Sequence, residues 1–233
     1  MLRSVSQILC LTSVAFAAEA GHAVAAEAFA LPAGCEAYVT MQKKSCIVSH
    51  LFTCENDAEG YQRRVDLGAN GLQYIGTIDA EAQWVESYSG TRGTSSTLVD
   101  GAVDPASFSE LVATGADVFD FETVDQNGVV TRYVGEDRLT GKVITIDGVE
   151  LTETQYKAQV VNADGSISEF GGNEYIVPEW RSFVSGTRTV SSAEGDVTVD
   201  YTPVEFAFPG EAGFLAANPI YDCGATTSKA PRP

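Results

Sequence analysis

A nine-residue block occurs twice in this chain and carries its only two tryptophans. Trp84–Arg92 reads WVESYSGTR, and Trp180–Arg188, which begins 96 positions later, reads WRSFVSGTR. The similarity predicts an internal duplication that covers about residues 61–97 and 158–192. We therefore expect the two halves to form similar hairpin units that extend one sheet.

Four turn-forming dipeptides separate short apolar segments of the chain: Asn70-Gly71, Asn127-Gly128, Asp147-Gly148 and Asp164-Gly165. These dipeptides readily adopt the positive φ angles of two-residue hairpin turns. Folding about Asp147-Gly148 pairs Ile146 with Val149 and Ile144 with Leu151, which places four apolar side chains on one face. The pattern predicts a meander of antiparallel strands with one buried and one solvated face.

The hairpin around Asn70-Gly71 predicts which side chains should face water. Symmetric folding about this turn sets Leu67 opposite Tyr74 on the buried face. The same register places Arg64 and Asp66 together on the reverse face, which we expect to be solvated.

One segment between the two repeats has the features of a helix. Asp104 is the predicted N-cap, Pro105 the first helical residue and Gly115 the residue just past the end, while Phe108 and Leu111 belong to its apolar stripe. A helix of about ten residues is marginal alone, so this stripe must pack against the sheet. It serves either as a lid over the sheet or as a plain crossover connection.

A long meander with one apolar face closes into a barrel, packs on a second sheet or curls around a helix. The duplication favours curling, because two similar hairpin units placed side by side extend one sheet smoothly. The predicted fold is therefore mainly β, an antiparallel meander curled into a half-barrel or barrel, with one short helix.

The two ends of the chain differ in composition from the rest. Residues 1–25 resemble a signal peptide, with Arg3 before an apolar run over residues 8–17. Residues 26–223 should form a single β-rich domain, and residues 224–233 a disordered tail. The apolar run is too short to span a membrane as a helix, which takes about 20 residues. We expect a periplasmic or secreted protein without a transmembrane segment.

Four cysteines follow the predicted signal peptide, and an exported protein would use them as two disulfides. If Cys46 and Cys54 lie on one continuous strand, about 26 Å separates them at ~3.3 Å per residue, so they cannot pair. A turn at residues 42–45 brings Cys35 near Cys54 across a hairpin. This leaves Cys46 to pair with Cys223.

Composition argues against several classes of function. Lys and Arg number 14 against 32 Asp and Glu, a net charge of −18, and such a surface repels phosphate backbones, so nucleic acid is not an expected partner. His50 is the only histidine beyond the signal peptide, and no catalytic triad can be assembled around it. Acidic pairs such as Asp117 with Asp120 match no known calcium loop. We expect a non-enzymatic protein without a catalytic residue, cofactor or metal.

Two further segments resemble elements of known proteins. Pro178-Glu179-Trp180-Arg181 and Phe208-Pro209-Gly210-Glu211 are similar to elements of uncharacterised exported bacterial β-rich proteins. By its export signal and strand pattern, the chain also resembles the lipoprotein-carrier and lipocalin-like half-barrel group. In that group the apolar concavity of the sheet holds acyl chains, so the resemblance implies a carrier function and transfers no functional residue.

A curved sheet of this length should enclose more space than one short helix fills, which invites an apolar or amphipathic small molecule. Ten aromatic residues are candidate lining residues: Trp84, Trp180, Tyr74, Tyr88, Tyr133, Tyr175, Phe183, Phe206, Phe208 and Phe214. Each of them is also a candidate core residue.

Six residues are the predicted ligand contacts: Trp84, Trp180, Tyr88, Phe183, Arg92 and Arg188. The two arginines either pair with carboxylates of neighbouring strands or bind an anion at the cavity mouth. The alternative to a carrier is an envelope interaction module, with a filled core, that docks onto another protein or a glycan.

Overall fold

The computed structural model describes residues 28–192 and 195–224. The predicted signal peptide, residues 1–25, and residues 225–233 of the predicted tail lie outside the described residues. The described chain forms thirteen strands and one helix: β1 (Cys35–Lys43), β2 (Ile47–Cys54), β3 (Gln62–Gly68), β4 (Gly71–Ile78), β5 (Trp84–Ser89), β6 (Thr94–Leu98), α1 (Phe108–Thr114), β7 (Ala116–Asp125), β8 (Val130–Ile146), β9 (Val149–Val161), β10 (Ile167–Val177), β11 (Ser182–Ser191), β12 (Val197–Asp200) and β13 (Pro203–Ala207).

All thirteen strands belong to one antiparallel sheet, in which β1 to β12 follow chain order and β13 pairs with β1. The edge strands β12 and β13 are connected by Tyr201 and Thr202. Tyr201 N–H donates to the Gly186 carbonyl at 2.8 Å, and Lys44 N–H donates to the Thr202 carbonyl at 3.1 Å. The sheet therefore curls until its ends approach each other without closing, which confirms the predicted curled meander.

Two hairpins show where strand register follows the sequence and where it does not. At Asp147-Gly148 the predicted pairs form, with Ile146 opposite Val149. At Asn70-Gly71 the predicted pairing is wrong, because a bulge shifts the register between Asp66 and Leu67 and places Tyr74 opposite Asp66. Asp66 is buried with 9 % of its surface exposed, so its face of the sheet is not the solvated one.

Helix α1 begins later than its sequence signals indicate. Ser107 is the N-cap, and its side chain accepts a backbone N–H of the first turn. Asp104 instead forms an antiparallel bridge with Asp120, so its backbone is extended and the predicted N-cap is wrong. The predicted C-terminal Gly115 does end the helix, in the left-handed conformation with φ of 88°.

Three apolar clusters hold the curled sheet together. The first joins β1, β2 and β13 to the ends of β9, β10 and β11, through Val39, Met41, Leu51, Leu151, Tyr175, Val177, Val184 and Phe206. The second packs α1 against the sheet, through Phe108, Leu111, Ala82 and Ile176. The third covers β1 to β3 with the segments at both ends of the described chain, through Ala37, Phe52, Val65, Phe29, Leu31, Phe214 and Leu215.

Both predicted disulfides are present. The Cys35–Cys54 bond joins β1 to β2. The Cys46–Cys223 bond links the turn after β1 to the C-terminal segment, across a sequence separation of 177 residues. The second bond therefore holds the chain end that covers β1 to β3.

His50 lies fully buried beneath this cover. Its ring stacks on Phe29 with centroids 4.7 Å apart. Thr40 Oγ1 accepts the Leu215 N–H at 2.9 Å and lies within hydrogen-bond distance of His50 Nδ1, 3.0 Å away. Burial lowers the pKa of His50 to about 4, so the imidazole is neutral at pH 7.

We expect acid to destabilise the fold through His50. The folded-state pKa of about 4 lies below the unfolded value of 6.5. The unfolded chain therefore binds the extra proton first, and the stabilisation that is complete above pH 6.5 is lost as the pH falls through 4. The loss attributable to this residue is about 3 kcal/mol.

The measurement is urea unfolding of the wild-type protein and the His50→Gln variant between pH 4 and 7. The difference between their free energies of unfolding isolates His50, because carboxylates that titrate in the same range contribute to both proteins. A difference that stays constant with pH would contradict the assignment.

The two copies of the repeated block both lie in the second half of a hairpin, but at different positions. Trp84 is the first residue of β5, whereas Trp180 lies in the turn before β11. The repeated glycines have one steric role in common: a Cβ on Gly90 would lie 2.1 Å from the Leu72 carbonyl oxygen, and one on Gly186 would lie 2.5 Å from that of Asn173. Both copies therefore allow a close backbone approach to the preceding strand.

Candidate functional site

A cleft of about 530 Å³ lies between the β2–β3 connection and the β10–β11 turn, and we call it the Trp180 cleft. Its lining combines aromatic, acidic and small side chains: Tyr38, Thr53, Cys54, Asp57, Ala58, Glu59, Gly60, Tyr61, Gln62, Glu179, Trp180 and Phe208. These residues come from four separate parts of the sequence, so only the folded sheet assembles the cleft.

Hydrogen bonds hold Trp180 in place from both sides of the cleft. Trp180 N–H donates to the Val177 carbonyl at 2.9 Å, which closes the β10–β11 turn. The Gln62 side chain on β3 donates to the Trp180 carbonyl at 2.6 Å. Tyr38 on β1 donates its hydroxyl hydrogen to Gln62 Oε1 at 2.6 Å, and burial raises the pKa of Tyr38, so this phenol stays protonated. The floor of the cleft is therefore organised before any ligand arrives.

Arg181 links the same turn to the β4–β5 connection through hydrogen bonds. Its guanidinium donates to the Ala80 carbonyl at 2.9 Å and to Glu81 Oε1 at 2.7 Å. Glu81 in turn accepts hydrogen bonds from the N-terminal residues Ser107 and Ser109 of the helix. Arg181 also lies over the ring of Phe108, 5.2 Å from its centroid. The turn that carries Trp180 is thus tied to α1.

The aromatic rings of the Trp180 cleft are inclined to each other. The Tyr38 and Trp180 centroids lie 6.1 Å apart with an angle of 58° between the rings. The Trp180 and Phe208 centroids lie 6.3 Å apart at 64°. Neighbouring faces therefore point in different directions and form an apolar corner.

The rim of the Trp180 cleft is acidic. Asp57 accepts two hydrogen bonds from Arg63, both at 2.6 Å, and these bonds hold the pKa of Asp57 below its usual value. Glu59 and Glu179 are exposed on the rim. Within residues 28–192 and 195–224, neither of these two glutamates forms a hydrogen bond or an ion pair through its side chain. Two carboxylates are thus available to a ligand.

Of the six predicted ligand contacts, Trp180 is the one that lines this cleft in the described chain. Trp84 is 43 % exposed and contacts Phe121 and Tyr133 edge to face, with centroids 5.5 and 5.3 Å away. Phe183 packs edge to face on Phe108, in the helix cluster.

The other three predicted contacts lie elsewhere in the sheet. Tyr88 is exposed on β5, and Arg92 is exposed in the β5–β6 turn. Arg188 lies over the ring of Phe170, 4.3 Å from its centroid. The side-chain partner of Arg188 here is therefore an aromatic ring.

Sequence reasoning missed Tyr38, Tyr61, Gln62 and the acidic rim. Phe208 was among the predicted lining aromatics, and Trp180 among the predicted contacts. Tyr38 precedes Trp180 by more than one hundred residues, and no local pattern joins them. The spacing of the two hairpins that carry them is set by the curl of the whole sheet.

A buried ionic cluster forms a second polar feature of the fold. Asp66 Oδ1 lies 3.6 Å from Lys43 Nζ and 3.4 Å from Arg64 Nε, and it accepts the Ser49 hydroxyl hydrogen at 2.6 Å. Burial lowers the pKa of Lys43 to about 8, against the attraction of Asp66. Burial by itself would raise the pKa of Asp66, but the charges of Arg64 and Lys43 hold it below its usual value. Asp66 therefore stays ionised between two cations.

Two carboxyl groups near this cluster, the buried Asp137 and the half-buried Glu174, have raised pKa values. Burial is the main cause that raises the pKa of Asp137 to about 8, and the charge of Glu174 is the second. Burial also raises the pKa of Glu174, although Arg64 and Arg188 oppose the shift. Neither group lines the Trp180 cleft. With a pKa of about 8, Asp137 is mainly protonated and uncharged at neutral pH.

In the described part of the chain, no group of three His, Cys, Asp or Glu side chains is placed to hold a metal ion. No helix among the described residues is long and apolar enough to cross a membrane. Comparisons with family models, with curated proteins and with solved structures found no match to this chain.

Proposed function

We propose that the protein is a non-enzymatic binding protein that holds an amphipathic small molecule in the Trp180 cleft. The observation that carries this proposal is a cleft of about 530 Å³ with an aromatic floor and a polar rim. Ligand sites commonly have volumes of about 300–1,000 Å³, with apolar walls and a few polar groups that orient the ligand.

The floor and the rim suit the two halves of an amphipathic molecule. The apolar parts of the ligand, which are its carbon chain and any alkyl groups on its head group, would pack on Tyr38, Trp180 and Phe208, whose rings are ordered by contacts within the fold. The polar half would face Glu59 and Glu179. Because the floor is already ordered, binding costs little conformational entropy.

The compartment in which we place this activity is the periplasm or the exterior. The two disulfides support an oxidising environment, in which exported proteins keep such bonds. A ligand carrier in that compartment would accept its cargo from solution or from another envelope component.

The two tryptophans allow a direct fluorescence test of the site. The Trp84→Phe variant keeps Trp180 as its only tryptophan, and the Trp180→Phe variant keeps Trp84 as its only tryptophan. We expect octyl glucoside, kept below its micelle concentration, to change the emission of Trp84→Phe in a saturable way. Trp180→Phe should show no saturable change and should bind at least about tenfold more weakly by calorimetry, because a large aromatic contact has been reduced.

Equal responses from both variants would place the ligand elsewhere in the molecule. Unfolding temperatures of the two variants serve as the control for folding.

The alternative function, an envelope interaction module, is favoured by one observation. In the described sheet β12 is an edge strand, and Val197 on it is 63 % exposed. An exposed strand edge is a template for pairing with another chain. Failure of amphiphiles with cationic, neutral and anionic head groups to bind Trp84→Phe would favour this alternative.

A further inference from the structure

The rings of the Trp180 cleft are arranged to contact one group from several sides. Tyr38 and Phe208 are both inclined to Trp180, by 58° and 64°. The face of an aromatic ring carries partial negative charge and attracts a cation. An alkylated ammonium group spreads its charge over its methyl groups, which can contact two or three ring faces at once.

The carboxylates of the rim strengthen the same preference. Glu59 and Glu179 are exposed beside these rings, and no intramolecular ion pair in the described chain neutralises them. An anionic head group would therefore be repelled, and a neutral one would form hydrogen bonds but no ion pair with them.

Basic side chains near the cleft are paired with groups of the protein itself. Arg63 binds both oxygens of Asp57. Arg181 follows Trp180 in the chain but binds the Ala80 carbonyl and Glu81. Among the described residues, the lining of the cleft contains no lysine or arginine. No described cation therefore competes with a ligand for the two free glutamates.

We infer that the Trp180 cleft selects amphipathic ligands whose head group is an alkylated ammonium. This inference rests on the proposed function, because it specifies the ligand class of the same site. The methylated head group contacts Tyr38, Trp180 and Phe208, and Glu59 and Glu179 balance its charge.

The test uses four probes that share an octyl chain and differ in the head group: octyltrimethylammonium, octylammonium, octyl glucoside and octyl sulfate. Each is titrated into Trp84→Phe below its micelle concentration, and Trp180 emission reports binding. We expect octyltrimethylammonium to bind about tenfold more tightly than octyl glucoside, and octyl sulfate to bind most weakly. The primary ammonium should bind more weakly than the quaternary one, because its stronger hydration opposes contact with the rings.

A charge variant then separates the effect of the two rim carboxylates on affinity from the effect of the protein's net negative charge. Glu59→Gln with Glu179→Gln, made in Trp84→Phe, should weaken octyltrimethylammonium about five- to tenfold and leave octyl glucoside within about twofold. The matched control is Glu122→Gln with Glu150→Gln, which changes the net charge equally at two exposed strand positions outside the cleft. The control should leave the affinities for all four probes within about twofold.

The outcomes distinguish this inference from the proposed function. Equal affinity for the cationic and neutral probes would overturn the inference while the binding function stands. Octylammonium binding as tightly as octyltrimethylammonium would overturn the selection of an alkylated head group. If no probe changes Trp180 emission, the proposed function and the inference both fail.

Discussion

Replacing Asp66 with asparagine is expected to lower the free energy of unfolding by about 3 kcal/mol, because it removes the carboxylate that lies between the buried Lys43 and the partly buried Arg64. Lys43 is 2 % exposed, and its Nζ lies 3.6 Å from Asp66. Lys43 can respond by losing its proton, since burial already lowers its pKa to about 8. Arg64 cannot, because a guanidinium stays charged at any relevant pH. The cost therefore has two parts: Lys43 loses either its partner or its proton, and Arg64, whose side chain is 31 % exposed, loses its ion pair.

The measurement is urea unfolding of both proteins at pH 7 with the disulfides intact. The matched control is Glu153→Gln, which removes the partner of Lys142. That pair is also a lysine–carboxylate pair, with 2.8 Å between Nζ and Oε2, but Lys142 is 58 % exposed. Its loss should cost less than about 1 kcal/mol, because water solvates the Lys142 ammonium that remains. An Asp66→Asn variant no less stable than Glu153→Gln would show that the buried cluster adds nothing to stability.

The burial of Asp66 could not be predicted from the local sequence pattern. Alternation of polar and apolar residues along β3 predicts a solvated face that carries Arg64 and Asp66. In the structure a bulge places Asp66 beside Tyr74, and the curl of the sheet covers this face as well. Both events depend on packing between distant strands, which alternation within one hairpin does not encode.

Local features were predictable because their causes are local. The Asp147-Gly148 turn sets the pairing of Ile146 with Val149, since two residues with positive φ fix the register on both sides. The disulfide pairing followed from strand length, which keeps Cys46 away from Cys54. The helix start was not predictable, because Asp104 pairs with Asp120 through the backbone.

The Trp180 cleft was predictable only in part. Trp180 is predicted from the repeated block, and Phe208 is one of the candidate aromatics. Both predictions are possible because large rings in strands mark either a core or a ligand site. Tyr38 and Gln62 belong to the cleft because of hydrogen bonds across the curled sheet. Tyr38 donates to Gln62, and Gln62 donates to the Trp180 carbonyl. Such a connection has no signature in either segment alone.

Removal of the Cys46–Cys223 disulfide, as Cys46→Ser with Cys223→Ser, is expected to destabilise the protein by about 5 kcal/mol in the chain-entropy model. The bond closes a sequence separation of 177 residues, so its loss greatly increases the freedom of the unfolded chain. The native state is affected as well, because the bond holds the segment whose Phe214 and Leu215 cover β1 to β3. Unfolding by guanidinium chloride measures the change.

The matched control is Cys35→Ser with Cys54→Ser, which removes a bond across only 19 residues. Its expected cost is about 3 kcal/mol, because a shorter loop restricts the unfolded chain less. Amide hydrogen exchange separates the two effects: loss of the long-range bond should increase exchange around Leu215 and His50, whereas loss of the short-range bond should not. If both variants lose the same stability and protection near His50 is unchanged, the C-terminal cover is held by its apolar contacts rather than by the disulfide.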